Sequence, residues 1–155
     1  MPRQFAPARK SSGAFEVRNA LVESSATIVK GAPLARDNTN TDEVLEHAGG
    51  NTVTGIVGVA GEDATAGTPE FGPDLLYYVA SQEVEFVGQV INGGTVQTIS
   101  TTPGEFEGNE YGIIKDSGEW YVDGADEVDV VLRVTKEIPE INAVLFKFIA
   151  SAIID

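Results

Sequence analysis

The chain of 155 residues contains no cysteine, and only one histidine, one methionine and one tryptophan. Without cysteine the fold has neither disulfides nor thiolate metal sites, which is consistent with a reducing compartment. Long apolar runs are missing as well. The stretch 144–154 is interrupted by Lys147 and Ser151, and it falls well short of the roughly 20 residues that a membrane helix needs. No apolar run typical of a secretory signal follows the first basic residues, so we expect no membrane association.

Basic residues are scarce and unevenly placed. The chain has 10 basic residues against 24 acidic ones, which gives a net charge of −14. Residues 1–20 hold four cations and one acid, a net of +3, whereas the remainder has a net of −17. Because phosphate binding requires Lys and Arg clustered on a folded surface, the acidic body argues against a nucleic-acid partner. We expect the basic segment to lie on another protein surface while the body stays dispersed.

Short β-prone segments separated by turns make up most of the chain. No apolar stripe of helical period lasts longer than about two turns. The polar stretch 36–51 is predicted to be a loop with one helical turn at 42–47, ended by Gly49-Gly50. We predict a mainly β fold, a single antiparallel β-barrel or β-sandwich over residues 15–155 with at most one or two short helices. The main predicted strands are 53–60, 75–80, 83–90, 95–100, 111–115, 119–123, 127–135 and 143–149.

Two hairpin turns are specified by their residues. Asn92-Gly93-Gly94 separates two β-prone runs, and Asn-Gly favours a two-residue turn because both central residues take positive φ. Asp116-Ser117-Gly118 predicts a second hairpin of the same kind.

Residues 1–14, with Pro2 and Pro7, are predicted to form an extended arm that becomes ordered only on contact with a partner. The alternative is a frayed terminus without function. Aromatic anchors favour the functional interpretation, because an arm that carries them has apolar surface to bury. The candidate partner-binding residues are Arg3, Phe5, Arg9, Lys10, Phe15 and Arg18.

Catalytic and cofactor signatures are missing from the sequence. Gly55, Gly58 and Gly61 have the spacing of a dinucleotide-binding turn, but the acidic continuation from Glu62 cannot form the helix that binds the phosphates. His47 lies in an acidic segment and is predicted to be a solvated loop residue, since no partners for a triad or a metal site are evident. We therefore expect no enzyme activity, no cofactor and no metal.

Acidic loops and aromatic pairs have simpler interpretations than ligand binding. The cluster 123–129 departs from the spacing of a calcium-binding EF-hand loop and is predicted to be a solvated hairpin loop. The acids at 105, 107 and 110 are predicted to form a charged loop, although paired-carboxylate glycosidase chemistry stays open. The aromatic pairs are predicted to pack in the core; these are Tyr77-Tyr78, Trp120-Tyr121 and Phe146/Phe148.

The segments 29–34 (VKGAPL) and 53–67 (VTGIVGVAGEDATAG) resemble bacteriophage capsid decoration, or cement, proteins. The resemblance covers roughly residues 20–100 and does not extend to the C-terminal third. It implies a small, usually trimeric β fold on the outside of the virion, bound to the major capsid protein after assembly in the host cytoplasm. It also implies an N-terminal arm that becomes ordered against coat subunits. On this basis we expect a chain without residues 1–14 to keep a folded body and to lose capsid binding.

Other functions stay open at this point. A tail-tube or head-completion subunit would use the arm on like copies. A carbohydrate- or calcium-binding module would use the acidic loops at 105–110 and 123–129. Adaptation to high salt is a further explanation for the acidic body.

Overall fold

A computed structural model describes residues 4–11, 13–65, 68–69 (backbone only), 74–102 and 104–154. Strands form about half of these residues. Two 3-10 turns at Pro139–Ile141 and Ala150–Ala152 are the helical elements of these residues. The fold is mainly β, as predicted. In chain order the strands are β1 Ala6–Lys10, β2 Val17–Val22, β3 Thr27–Ile28, β4 Pro33–Arg36, β5 Glu43–Glu46, β6 Ile56–Ala60, β7 Ala64–Thr65, β8 Thr68–Pro69, β9 Leu75–Val79, β10 Val84–Gly88, β11 Val90–Asn92, β12 Thr95–Val96, β13 Glu110–Asp116, β14 Glu119–Asp123, β15 Leu132–Ile138 and β16 Ala143–Phe148.

These strands form a closed barrel, a large sheet and a small sheet. The barrel has the order β2-β5-β4-β6-β9, and the large sheet has the order β1-β10-β16-β15-β13-β14-β11-β12. The small sheet is β3-β7-β8. Most pairs are antiparallel, as predicted, but β2 pairs with β5, and β11 with β14, in parallel. Each parallel pair is joined by a long connection that carries other strands, which is the length such a crossover requires.

The barrel is filled by side chains that alternate along its strands. Ala20 and Val22 on β2 and Leu75 and Tyr77 on β9 are buried, whereas their neighbours in the chain are more exposed. A Cβ at Gly58 would lie 2.7 Å from the Tyr77 ring. Glycine is therefore required there, because the backbone carbonyl of Tyr78 and the ring of Tyr77 occupy the space that a side chain would take.

Both predicted hairpin turns are present. Ser117 and Gly118 have φ angles of 51° and 85° between the paired residues Asp116 and Glu119. In the other hairpin Asn92 pairs with Thr95, so the central residues are Gly93 and Gly94, at φ angles of 59° and 84°. Asn92 thus ends β11 and is not a central turn residue.

The prediction of a helical turn at 42–47 is wrong, because residues 43–46 form strand β5. Val44 is fully buried in the barrel, where it pairs with Val22 of β2 and Arg36 of β4. Hydrogen bonding to two neighbouring strands outweighs the local helix signals of the acidic start and the glycine stop.

The N-terminal segment belongs to the large sheet, whereas we expected it to be ordered only by a partner. Strand β1 pairs antiparallel with β10, and Phe5 is only 2% exposed. The Phe5 ring packs edge-on against Phe146 at 5.0 Å between centroids. A Cβ at Gly88 would lie 2.6 Å from this ring, and one at Gly31 would lie 2.8 Å from the Cβ of Gln4.

Phe5 therefore lies where the barrel and the large sheet meet, since Gly31 precedes β4 and Gly88 ends β10. The hydrophobic core is continuous across this junction and includes residues of both parts, among them Val59 and Phe148. Burial of a large aromatic ring provides the driving force that a free arm would lack. Deletion of residues 1–14 would remove Phe5 from the core. The body is therefore not expected to fold normally without them, in contrast to the expectation from the sequence.

Replacing Phe5 with alanine is expected to lower the free energy of unfolding by about 3–5 kcal/mol, the usual cost of removing a buried Phe. Phe15→Ala is the matched control, because Phe15 is half-buried against Tyr78 and its loss should cost less. Urea denaturation of both variants measures the difference. Equal effects, or a Phe5 variant as stable as the parent, would contradict the placement of Phe5 in the core.

Candidate functional site

The six candidate partner-binding residues have different environments. Phe5 is in the core, and Phe15 packs edge-on against Tyr78 at 6.4 Å. Both aromatic rings are therefore engaged by the body itself and are not free anchors. Arg3 lies outside the described residues.

Arg9 and Lys10 lie together on the edge strand β1. Arg9 forms an ion pair with Glu85, its partner residue on β10, and its Nη2 donates a second hydrogen bond to Glu85 Oε1 at 3.3 Å. Lys10 donates from Nζ to the Ala14 carbonyl at 3.2 Å. The Arg9 side chain is 59% exposed, so it presents charge to solvent while it is paired.

The charges around Glu85 decide its protonation. Burial alone would raise the pKa of this carboxyl, but the hydrogen bonds from Arg9 and the charges of Arg9 and Lys147 lower the pKa below its ordinary value. The hydrogen bond and the charge of Glu85 raise the pKa of Arg9 in turn. Glu85 therefore stays ionised and fixes the Arg9 guanidinium at the sheet edge.

Arg18 is not part of this group. It lies on β2 of the barrel, where its Nε donates to Glu16 Oε1 at 2.9 Å, and the hydrogen bond and charge of Glu16 raise its pKa. The structure thus brings together two of the predicted cations, Arg9 and Lys10, and places Arg18 in a different sheet.

Two further cations, which the sequence did not single out, lie on β16, the neighbour of β10, and on β15 beyond it. Arg133 on β15 is paired across the sheet with Lys147 on β16. On its other side it is paired with Glu110 of β13 and donates to Glu110 Oε2 at 2.8 Å. We call Arg9, Lys147 and Arg133 the cationic row. Arg133 and Lys147 are 14 positions apart in the chain, and their pairing depends on strand order and register. The sequence predicted only that both positions belong to strands.

Two clefts open beside the cationic row, and Lys147 lines both. The first has a volume of about 230 Å³ and is lined by Arg9, Lys10, Ser11, Glu83, Glu85 and Lys147. The second, of about 350 Å³, is lined by Gln82, Glu110, Arg133, Lys147, Phe148, Ile149 and Ala150. Charged groups therefore surround two concave surfaces at one end of the large sheet.

The acidic loop at 123–129 is held by its own backbone. Asp126 accepts hydrogen bonds from the amides of Val128 and Asp129 at 3.1 and 2.8 Å, and Asp123 accepts one from Ala125 at 3.1 Å. In the described part of the chain, no group of three or more His, Asp or Glu side chains is arranged to hold a metal ion. The carboxylates of this loop thus serve to shape the turn.

The prediction that His47 is a solvated loop residue is wrong, since it is 2% exposed. Its Nε2 donates to the Thr54 carbonyl at 3.0 Å, and its Nδ1 accepts from the Gly49 amide at 3.0 Å. This pattern requires the neutral ring, and burial lowers the pKa of His47. Both nitrogens are used to hold the loop 47–54 in place.

Other sequence motifs have structural roles. The glycine-bearing segment 55–61 contains β6, all five residues of which are buried, and it enters a turn and not a helix. The aromatic pairs pack in the core as predicted: Tyr77, Trp120, Tyr121, Phe146 and Phe148 are buried, and Tyr78 is half-buried against the core.

Comparison of the chain with protein-family models, with curated proteins and with solved structures gave no match. Within the described residues, no helix has the length and apolar character needed to cross a membrane.

His47 makes the stability of the fold depend on pH. Because its pKa is lowered in the folded state, the unfolded chain binds the proton more readily, and stability falls as the pH drops below the unfolded value of about 6.5. We expect urea midpoints of the parent to decrease from pH 7.5 to pH 5.5. In His47→Asn, which keeps an acceptor for the Gly49 amide, this decrease should be smaller. An identical pH dependence in the two proteins would refute the assignment.

Proposed function

We propose that the chain is a non-enzymatic structural virion protein that binds the outer surface of a phage capsid and stabilises the shell. The observation that carries this proposal is the edge strand β1, which presents Arg9 and Lys10 on a rigid sheet of an otherwise acidic molecule. The ring of Phe5 fixes this strand to the body. A cationic edge fixed in this way would meet an acidic coat surface with little loss of conformational entropy on binding.

The position of the resembling segments supports the same function. The two segments meet in the barrel, where Leu34 of β4 pairs with Gly58 of β6. Gly31, at a φ of 88°, leaves room for the Gln4 side chain and the Phe5 backbone. The likeness to decoration proteins therefore includes the part of the body that receives the N-terminal segment.

The environment of His47 supports a function without catalysis. Both of its ring nitrogens are engaged by backbone groups, and the ring is buried. The only histidine of the chain is thus unable to act as a general base without disrupting its loop.

The manner of binding differs from that of a free arm. Because residues 5–10 belong to the sheet of their own body, we propose that the coat contacts the outward side of β1 and does not order a flexible tail. Three copies bound around a coat junction would present three such edges, which agrees with the trimer that the resemblance implies.

Co-sedimentation with virus-like shells of the parent phage tests the proposal. The purified protein should sediment with the shells and raise their resistance to heat. Lys10→Glu should weaken binding by about tenfold, because reversal of an interfacial charge opposes association. Lys30→Glu is the matched control, since Lys30 is an exposed cation on the barrel and its reversal should leave binding unchanged.

Two outcomes would contradict this function. A protein that fails to sediment with shells, while its fold is intact by circular dichroism, is not a decoration protein. Assembly of the purified protein into rings or tubes without coat protein would support a tail-tube or head-completion subunit instead.

A further inference from the structure

The pairing of Arg133 with Lys147 places two cations directly opposite each other on neighbouring antiparallel strands. Like charges in this position destabilise a sheet. The local excess of positive charge is notable in a chain whose net charge is −14. Glu85 and Glu110 on the neighbouring strands offset part of this repulsion, and an anion bound between the two cations would offset more of it.

Lys147 is held less firmly by the protein itself than the other two cations of the cationic row. Arg9 and Arg133 each form a salt bridge, with Glu85 and Glu110, but among the described residues no carboxylate forms one with Lys147. Its side chain lies between the two clefts and lines both. The ammonium group thus has a carboxylate, Glu85, on the β10 side and a cation, Arg133, on the β15 side.

We propose that the cationic row, with the two clefts beside Lys147, is a docking surface for a protein segment that carries closely spaced carboxylates. Lys147 and Arg133 would bind one carboxylate between them, and Arg9 would bind a second across the neighbouring cleft. The inference rests on the proposed function, because it names the chemistry of the coat segment that this end of the large sheet would contact.

The surroundings of the row favour acidic protein over nucleic acid. Across the sheet the charges follow the order Arg9, Glu85, Lys147, Arg133 and Glu110. A carboxylate therefore bounds the adjacent pair Lys147–Arg133 on each side, and the pair suits one short anionic group better than a continuous phosphate backbone. The larger cleft is also lined by Ile149, which is half-buried, and by Ala150, which is exposed. A peptide that carries apolar residues beside its carboxylates matches both features, whereas phosphates match neither.

The test uses the full chain and a synthetic peptide with four consecutive glutamates flanked by leucines. We expect the peptide to shift amide resonances of residues in the cationic row in 1H–15N spectra, and the affinity to fall as salt rises. The double substitution R133Q/K147Q should weaken binding by about tenfold or more. It leaves the Arg9–Glu85 pair intact, and relief of the like-charge repulsion should offset the loss of the exposed Arg133–Glu110 salt bridge, so stability should change little. Lys30→Gln, which removes an exposed cation on the barrel, is the matched control and should bind like the parent.

Several results would overturn the inference. These are peptide shifts that lie elsewhere on the molecule, unchanged affinity in R133Q/K147Q, and tighter binding of a single-stranded oligonucleotide than of the peptide. A parent protein that self-associates through the row, and becomes monomeric in the double variant, would make the occupant a second copy and would also overturn it.

Binding to virus-like shells distinguishes failure of this inference from failure of the proposed function. If the parent sediments with shells and R133Q/K147Q does so equally well, the docking surface is wrong and the decoration function stands. If the parent binds the acidic peptide through the row but does not bind shells, the docking surface stands and the decoration function fails.

Discussion

The burial of Phe5 between the barrel and the large sheet is the contact on which the arrangement of this molecule depends. Phe146 meets the ring on one side, and the missing side chain of Gly88 leaves the space that the ring fills. Phe146 also packs with Phe86 and Phe148, so an aromatic cluster extends from Phe5 into the large sheet. Without Phe5 this cluster would border a cavity, and strand β1 would lose its anchor.

Anchoring β1 changes what the N-terminal segment can do. A flexible arm pays an entropic cost when it becomes ordered on a partner, whereas a strand already held in a sheet presents its charges in fixed positions. Arg9 is held by Glu85, which is kept ionised by its surroundings. The cations of the segment thus become part of one surface with Arg133 and Lys147, which lie more than a hundred residues later in the chain.

The cations are distributed differently in the folded structure and along the sequence. The sequence suggested a basic terminus attached to an acidic body. In the fold, Arg18 separates from the other N-terminal cations and pairs with Glu16 on the barrel, while two cations of the acidic body join Arg9. Local net charge along the sequence therefore located only part of the surface on which these cations lie.

The sequence by itself determined the β class, both hairpins and the packing of the aromatic pairs, because these follow from local turn chemistry and from apolar side chains that avoid water. It did not determine that residues 43–46 form a strand, that His47 is buried, or that Arg133 faces Lys147. Each of these depends on contacts that the local sequence pattern does not show: β2 and β4 for β5, Thr54 for His47, and the register of β15 with β16 for the cationic row. The burial of Phe5 was likewise not determined by the sequence, since its sequence neighbours indicate an exposed arm. Only the tertiary structure, through the space left by Gly31 and Gly88, decides that its ring is in the core.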